Sequence, residues 1–182
     1  LDNSHPLGGH CGVNNEIRFL KDLGCYADFT MPSAPDVTQT RTINRIYYAM
    51  DSKAPKSHDF GVEARVLGSG PLEEDDGEPR FGDLLMVQGP LGLNWRWRKK
   101  GILPRLENAD ITKANPPTAL RMDLWTKLHV HVAGRPEWVF IKLHSHGAPP
   151  PNSDVFLGDP YRRFHEHLAE NYSADHSWRL HY

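Results

Sequence analysis

The apolar run Trp138-Val139-Phe140-Ile141-Lys142-Leu143 gives the strongest strand signal in the chain and predicts a strand over residues 138–144. A helical pattern over residues 119–132 precedes it. An amphipathic helix is predicted over residues 160–172, after the break at Pro149-Pro150-Pro151. Because the connections between these elements are long enough for crossovers, parallel strand pairing is favoured. The pattern predicts a mixed α/β fold.

The remaining segments predict one more helix and four more strands. Asn15 can cap a helix in which apolar residues recur at helical spacing before Gly24 ends it. Strands are predicted at residues 25–29, 43–50, 62–67 and 84–88, between turn-rich stretches at 51–61 and 68–82 with an acidic tip at 73–77. We expect a single domain over residues 1–182. We also expect it to be truncated at one or both ends, because it starts without Met and residues 178–182 resemble the beginning of a strand.

Composition narrows the class of protein. With 38% hydrophobic residues the chain can build a core, and a formal net charge of −2 gives no general attraction to nucleic acid or anionic membranes. No apolar run approaches the ~20 residues that cross a bilayer. Cys11 and Cys25 form no CxxC pair, so a disulfide and two isolated thiols both stay open. The GxSxG, P-loop and GxGxxG motifs are absent from the sequence.

Three His-x-His pairs are candidate metal ligands, at residues 129/131, 144/146 and 165/167. On a strand, residues i and i+2 point to the same face and can share an ion, whereas on a helix they diverge. The first and third pairs lie in predicted helices. His144 and His146 follow a buried strand instead, where α/β folds build their sites, so this pair is the favoured site. The alternative is two histidines that hydrogen-bond to loop backbone.

Other polar groups offer weaker candidates. Asn15 can bind sugar hydroxyls, and Glu16 beside it could be catalytic or could simply favour the first turn of the helix. His58 and Asp59 are adjacent in a loop, where the carboxylate could serve as a base and the imidazole as an acid or ligand, although turn chemistry explains Asp59 equally well.

Aromatic and basic residues alternate in the segment Asn94-Trp95-Arg96-Trp97-Arg98-Lys99-Lys100. In an extended strand Trp95 and Trp97 would share one face and the arginines the other. Tryptophan rings could then stack on sugars, and arginines could hold anionic groups. A half-buried strand and, less favourably at this net charge, a single-stranded nucleic-acid platform are the competing interpretations.

The segment Phe140-Ile141-Lys142-Leu143-His144 resembles the polysaccharide deacetylase-like family of carbohydrate esterases. The runs at residues 10–16, 24–33 and 134–138 look like a bacterial branch of that family. The resemblance implies part of a distorted (β/α) barrel, with His144 as general acid. The family's Asp-Asp strand motif is absent and would lie upstream of Leu1. Its His-x-x-x-His motif is not found, and its Arg-Pro-Pro loop is matched only weakly at residues 31–33.

The function expected from these observations is metal-assisted deacetylation of a polysaccharide or oligosaccharide. A divalent metal, possibly zinc, would be held by His144, His146 and His58, and the catalytic candidates are His144, Asp59 and Glu16. Candidates for binding the acetylated glycan are Asn15, Trp95, Trp97 and Arg135. One alternative is a non-catalytic glycan-binding or structural domain. Another is a glycoside hydrolase that uses Glu16 and Asp59 about 5–9.5 Å apart.

Overall fold

A computed structural model of the chain describes residues 15–33, 35–36, 39–52, 57–66, 84–146, 149–173 and 179–181. It divides into two compact units. The first comprises Leu1–Asn108 and Leu128–Lys142, and the second Ala109–Lys127 and Leu143–Tyr182. The predicted acidic tip at 73–77, Cys11 and most of the run at 10–16 lie outside the described residues, whereas Cys25 is exposed and free. No described helix has the length and hydropathy needed to span a membrane.

The largest sheet belongs to the first unit and has the strand order β1-β4-β2-β3. Strand β1 pairs with β4 in parallel, while β2 pairs antiparallel with both β4 and β3. The carboxyl ends of β1 and β4 therefore meet at one edge of the sheet. The strands are β1 (Ala27–Asp28), β2 (Arg45–Ala49), β3 (Gly61–Glu63) and β4 (Leu84–Gln88).

Strand β4 is covered on both faces, as its continuous apolar sequence predicts. Helix α1 (Glu16–Asp22) contributes Ile17 and Leu20 to the core on one face, which includes Leu84 and Met86. The alternate residues Leu85 and Val87 pack into a second core on the other face, together with Ile46, Ala64, Tyr48, Val130 and Val132.

Two antiparallel hairpins complete the first unit. They are β5 (Gly92–Lys99) with β6 (Leu103–Glu107), and β7 (His131–Val132) with β8 (Arg135–Val139). The short turns of these hairpins allow only antiparallel pairing. Since β2 is also antiparallel to β3 and β4, the general expectation of parallel pairing is correct for β1–β4 and wrong for the other described ladders. Helix and strand content is mixed, as predicted. The described strands form small sheets and no closed barrel, so the barrel and the single-domain organisation stay predictions.

The regular elements described in the second unit are helices. Helix α2 (Ala119–Leu128) begins there, followed by α3 (Pro150–Phe156) and α4 (Asp159–Asn171). Trp125 of α2 is fully buried and meets Phe164 of α4 edge-on, with ring centroids 6.1 Å apart. The prediction for α4 is confirmed to within one residue at each end. The proline run also starts a helix. Pro150 is the first residue of α3, a position where no backbone N–H donor is needed.

Several element boundaries differ from the sequence-based expectation, and two of the differences affect candidate histidines. Helix α2 ends at Leu128 because His129 adopts a left-handed φ of 54°, and His131 then enters β7. The prediction that His129 and His131 are helical is therefore wrong. Strand β8 ends at Val139, whereas the prediction extended it to His144. Beyond it, His144 forms an isolated parallel bridge to Asp110.

Candidate functional site

A buried polar cluster lies at the sheet edge where β1 and β4 end. Its members are polar side chains that contact one another or neighbouring main chain: the buried Asp28, Ser33, His58 and Gln88, and the half-buried Lys142. The carboxyl ends of parallel strands are where α/β proteins commonly place their sites, because side chains from neighbouring strands and loops converge there.

The Asp28 carboxylate and the His58 imidazole form the centre of the cluster. Asp28 Oδ2 lies 3.9 Å from His58 Nε2, and the two residues are only 7% and 2% exposed. The other carboxylate oxygen accepts hydrogen bonds from the backbone N–H and the hydroxyl of Thr30, both at 2.7 Å, which fix its orientation. Among the described residues His58 Nε2 has no hydrogen-bond partner.

The main chain of His58 is anchored by two hydroxyl groups. The Tyr47 hydroxyl donates to the His58 carbonyl oxygen at 2.5 Å, and the Thr40 hydroxyl donates to the same oxygen at 3.1 Å. Tyr47 stands on β2 in register with Met86, which pairs with Asp28 on the other side. Because residues in register across a sheet share a face, the strand pairing itself brings Asp28 and the turn carrying His58 together.

Lys142 brings a positive charge to the cluster. Its ammonium group donates to the carbonyl oxygens of Met31, at 2.5 Å, and Val87, at 3.0 Å. Burial lowers the pKa of Lys142 to about 8, and the attraction of the Asp28 carboxylate offsets part of that effect. The lysine thus connects the end of β4 to the segment that follows β1, with its charge near Asp28.

The sequence-predicted residues of the first unit occupy different environments. His58 belongs to the cluster. Asp59, next to it in the 3-10 turn Ser57–Asp59, accepts a hydrogen bond from the backbone N–H of Arg41 at 2.7 Å.

The other candidates lie on different elements. Asn15 precedes α1 without a side-chain capping bond, and Glu16 begins that helix half-buried. Arg135 opens β8, where it is exposed beside Glu137 and lies 5.3 Å from the Trp138 ring.

His144 and His146 belong to the second unit. The N–H of His144 donates to the Ala109 carbonyl at 3.2 Å, and its own carbonyl accepts from Ile111 at 2.8 Å. His144 is half-buried and His146 exposed, and the His146 carbonyl accepts from Asn152 at 2.8 Å. These bonds involve main-chain atoms of the two histidines, so they do not test the alternative in which the imidazoles bond to loop backbone. The side-chain roles of His144 and His146 stay predictions.

The tryptophan strand departs from simple alternation. The β5–β6 pairing shifts between Asn94 and Arg98, so the intervening residues bulge opposite Pro104, which has no N–H to pair. The Arg98 guanidinium lies 6.0 Å from the Trp95 ring, and Arg105 lies 4.1 Å from the Trp97 ring. The expectation that the tryptophans take one face of the strand and the arginines the other is therefore wrong, because the bulge places the Arg98 guanidinium over the Trp95 ring.

A metal does not fit the described residues of the cluster. Within the described ranges no three His, Cys, Asp or Glu side chains are placed to hold an ion. Asp28 and His58 supply two donors, and the Lys142 ammonium beside Asp28 disfavours a second cation at short range. Zinc binding by His58, His144 and His146 stays a prediction.

Sequence reasoning missed Asp28 and Lys142. A signal for both is present, since each is the single charged residue within an apolar strand-like run, at residues 25–29 and 138–143. Lysine and aspartate are rarely buried without a partner, so charges at such positions indicate a paired interior site.

Comparison of the chain with known proteins gives no relative to set beside this geometry. No protein-family model matches it, and neither the curated proteins nor the solved structures contain a significant match.

Proposed function

We propose that this chain is a carbohydrate-active hydrolase that removes an acetyl group from a glycan. One observation supports the chemistry: the Asp28 carboxylate and the His58 imidazole face each other at 3.9 Å in a nearly enclosed site. A carboxylate that faces an imidazole favours the protonated ring through electrostatic attraction, which assists general-base catalysis. The resemblance at residues 140–144 favours an acetyl group as the part removed.

In the proposed reaction His58 takes a proton from water as the water oxygen attacks the acetyl carbonyl carbon. Asp28 stabilises the imidazolium that forms. The bond from that carbon to the sugar oxygen or nitrogen then breaks, and the imidazolium returns the proton to the leaving atom. The products are acetate and a sugar hydroxyl or amine. Because Asp28 and His58 are nearly enclosed, this face has to open when the substrate binds.

A second candidate function is glycan binding without catalysis. It is favoured by the β5–β6 hairpin, where the side chain of Trp95 is 57% exposed. An exposed indole offers a flat apolar surface on which a sugar ring can stack. In this case Asp28 and His58 would be a structural pair.

Acetate release distinguishes the two candidates. The purified full chain is incubated with acetylated xylan, acetylated chitooligosaccharides and acetylated polygalacturonate, with and without added Zn²⁺, while binding to the same glycans is measured by calorimetry. The hydrolase proposal expects acetate from at least one glycan. Binding without acetate from any of them supports the non-catalytic function and contradicts the hydrolase.

A further inference from the structure

The β5–β6 hairpin is strongly basic in a chain that is slightly acidic. Residues 92–107 contain five basic residues and one acidic residue, a formal charge of +4, whereas the whole chain has a formal charge of −2. The acidic residue, Glu107, is buried, so it contributes little to the surface. Four of the basic side chains are exposed: Arg96, Arg98, Lys99 and Lys100. The surface presented to solvent is therefore cationic.

Local hydrogen bonds shape this surface. The Asn94 side-chain oxygen accepts the backbone N–H groups of Arg96, at 3.1 Å, and Trp97, at 2.9 Å. Arg98 Nε donates to the Trp95 carbonyl oxygen at 2.8 Å. The bulge opposite Pro104 is thus a defined structure that holds Trp95 outward with an arginine beside its ring. Such an arrangement is preorganised and loses little entropy on binding.

We propose that this hairpin binds an anionic polysaccharide, one whose sugars carry carboxylate or sulfate groups, and that this is the substrate class of the proposed hydrolase. Trp95 stacks on the apolar face of a sugar ring. Arg96, Lys99 and Lys100 pair with the acid groups of neighbouring sugars, and guanidinium groups can do so with two parallel hydrogen bonds. The inference rests on the proposed function only in naming the glycan as a substrate.

The same geometry disfavours single-stranded nucleic acid as the occupant. Nucleic-acid platforms stack successive bases on successive aromatic faces. Here the Trp97 ring is half-buried and the Arg105 guanidinium covers it at 4.1 Å, so Trp95 offers the exposed indole of the bulge. One stacking surface flanked by cations matches a charged sugar better than a row of bases.

The test measures binding of the full chain to polygalacturonate, to neutral dextran and to a single-stranded oligonucleotide at about 50 mM and about 200 mM salt. We expect polygalacturonate to bind more tightly than the other two and to weaken at the higher salt. Equal or tighter binding of dextran or of the oligonucleotide overturns the proposal, as does no binding of polygalacturonate.

Two variants and their controls sharpen this test. Replacing Arg96, Lys99 and Lys100 together by Gln should weaken polygalacturonate binding about tenfold or more and flatten its salt dependence. Trp95→Ala should weaken polygalacturonate binding about fivefold and leave its salt dependence unchanged.

The matched controls are Trp138→Ala and the combined Gln variant of Arg18, Arg162 and Arg163, which remove an exposed ring and three exposed cations elsewhere. Equal losses in the controls contradict the proposal. Binding that behaves as expected without any acetate release would refute the hydrolase and leave this site standing.

Discussion

His58 Nε2 lies 3.9 Å from Asp28 Oδ2, and the two side chains are almost closed off from solvent. This distance is too long for a hydrogen bond and short enough for a strong electrostatic interaction when the imidazole is protonated. Lys142, which is half-buried, adds a cationic group to the same cluster.

The stability of the protein should depend on Lys142 at alkaline pH. Burial lowers the pKa of this lysine to about 8, from 10.5, in the folded chain, so the unfolded chain keeps the proton to higher pH. Because the unfolded state then binds more protons, this group makes unfolding less favourable as the pH rises from about 8 towards 10. The free energy of unfolding by urea, measured between pH 7.5 and 9.5, should rise more in the wild type than in Lys142→Met. Parallel pH profiles would contradict a buried, titrating lysine.

Arg121 should be the most sensitive position of the second unit. It is 1% exposed and donates to the carbonyl oxygens of Asn115, Pro116 and Asp110, at 2.6, 3.0 and 2.6 Å. Its guanidinium also lies 5.0 Å from the Trp125 ring. Arg121→Met should destabilise the protein by about 3 kcal/mol, because those carbonyls lose a buried charged donor. Chemical denaturation measures the change.

The control for that prediction is Arg162→Met on the exposed face of α4. Arg162 makes ion pairs with Asp159 and Glu166 at 3.0 and 2.8 Å, but all three side chains are more than half exposed. Exposed pairs contribute about 0–1 kcal/mol, so the loss should be much smaller than at Arg121. Equal losses at the two positions would show that Arg121 is not central to its unit.

The predicted zinc ligands can be tested apart from catalysis. If His144 and His146 hold an ion, the wild-type chain binds zinc in calorimetry and the variant with both residues changed to Ala loses that binding. The matched control replaces His165 and His167, which stand on α4, where residues two apart diverge. Zinc binding that is equal in both variants, or absent from the wild type, removes His144 and His146 from the metal hypothesis.

The elements that the sequence predicts most accurately are those whose apolar residues repeat along the element itself. Strand β4 and helix α4 were recognised because their apolar residues repeat over a full element. The end of α2 was missed because His129 takes a left-handed conformation, which glycine signals in a sequence and histidine does not. The bulge in β5 depends on Pro104 in the partner strand, so alternation within β5 alone could not reveal it.

The site was harder to predict because it is made by contacts between distant residues. The sequence pairs His58 with its neighbour Asp59, whereas in the structure the His58 imidazole faces Asp28, which lies on β1. That pairing requires the register between β1, β4 and β2, which the sequence does not specify. Lys142 looked like one polar residue in an apolar strand, and only the fold places the Met31 and Val87 carbonyls within its reach.

The most direct test of the central claim is the rate of acetate release after the pair is broken. In Asp28→Asn and His58→Gln the rate on the best acetylated glycan should fall about 100-fold or more, while circular dichroism shows a folded chain. Asp22→Asn and His181→Gln, changes of the same kind at exposed positions, should keep the wild-type rate. Near-wild-type acetate release by folded Asp28→Asn and His58→Gln would contradict the account.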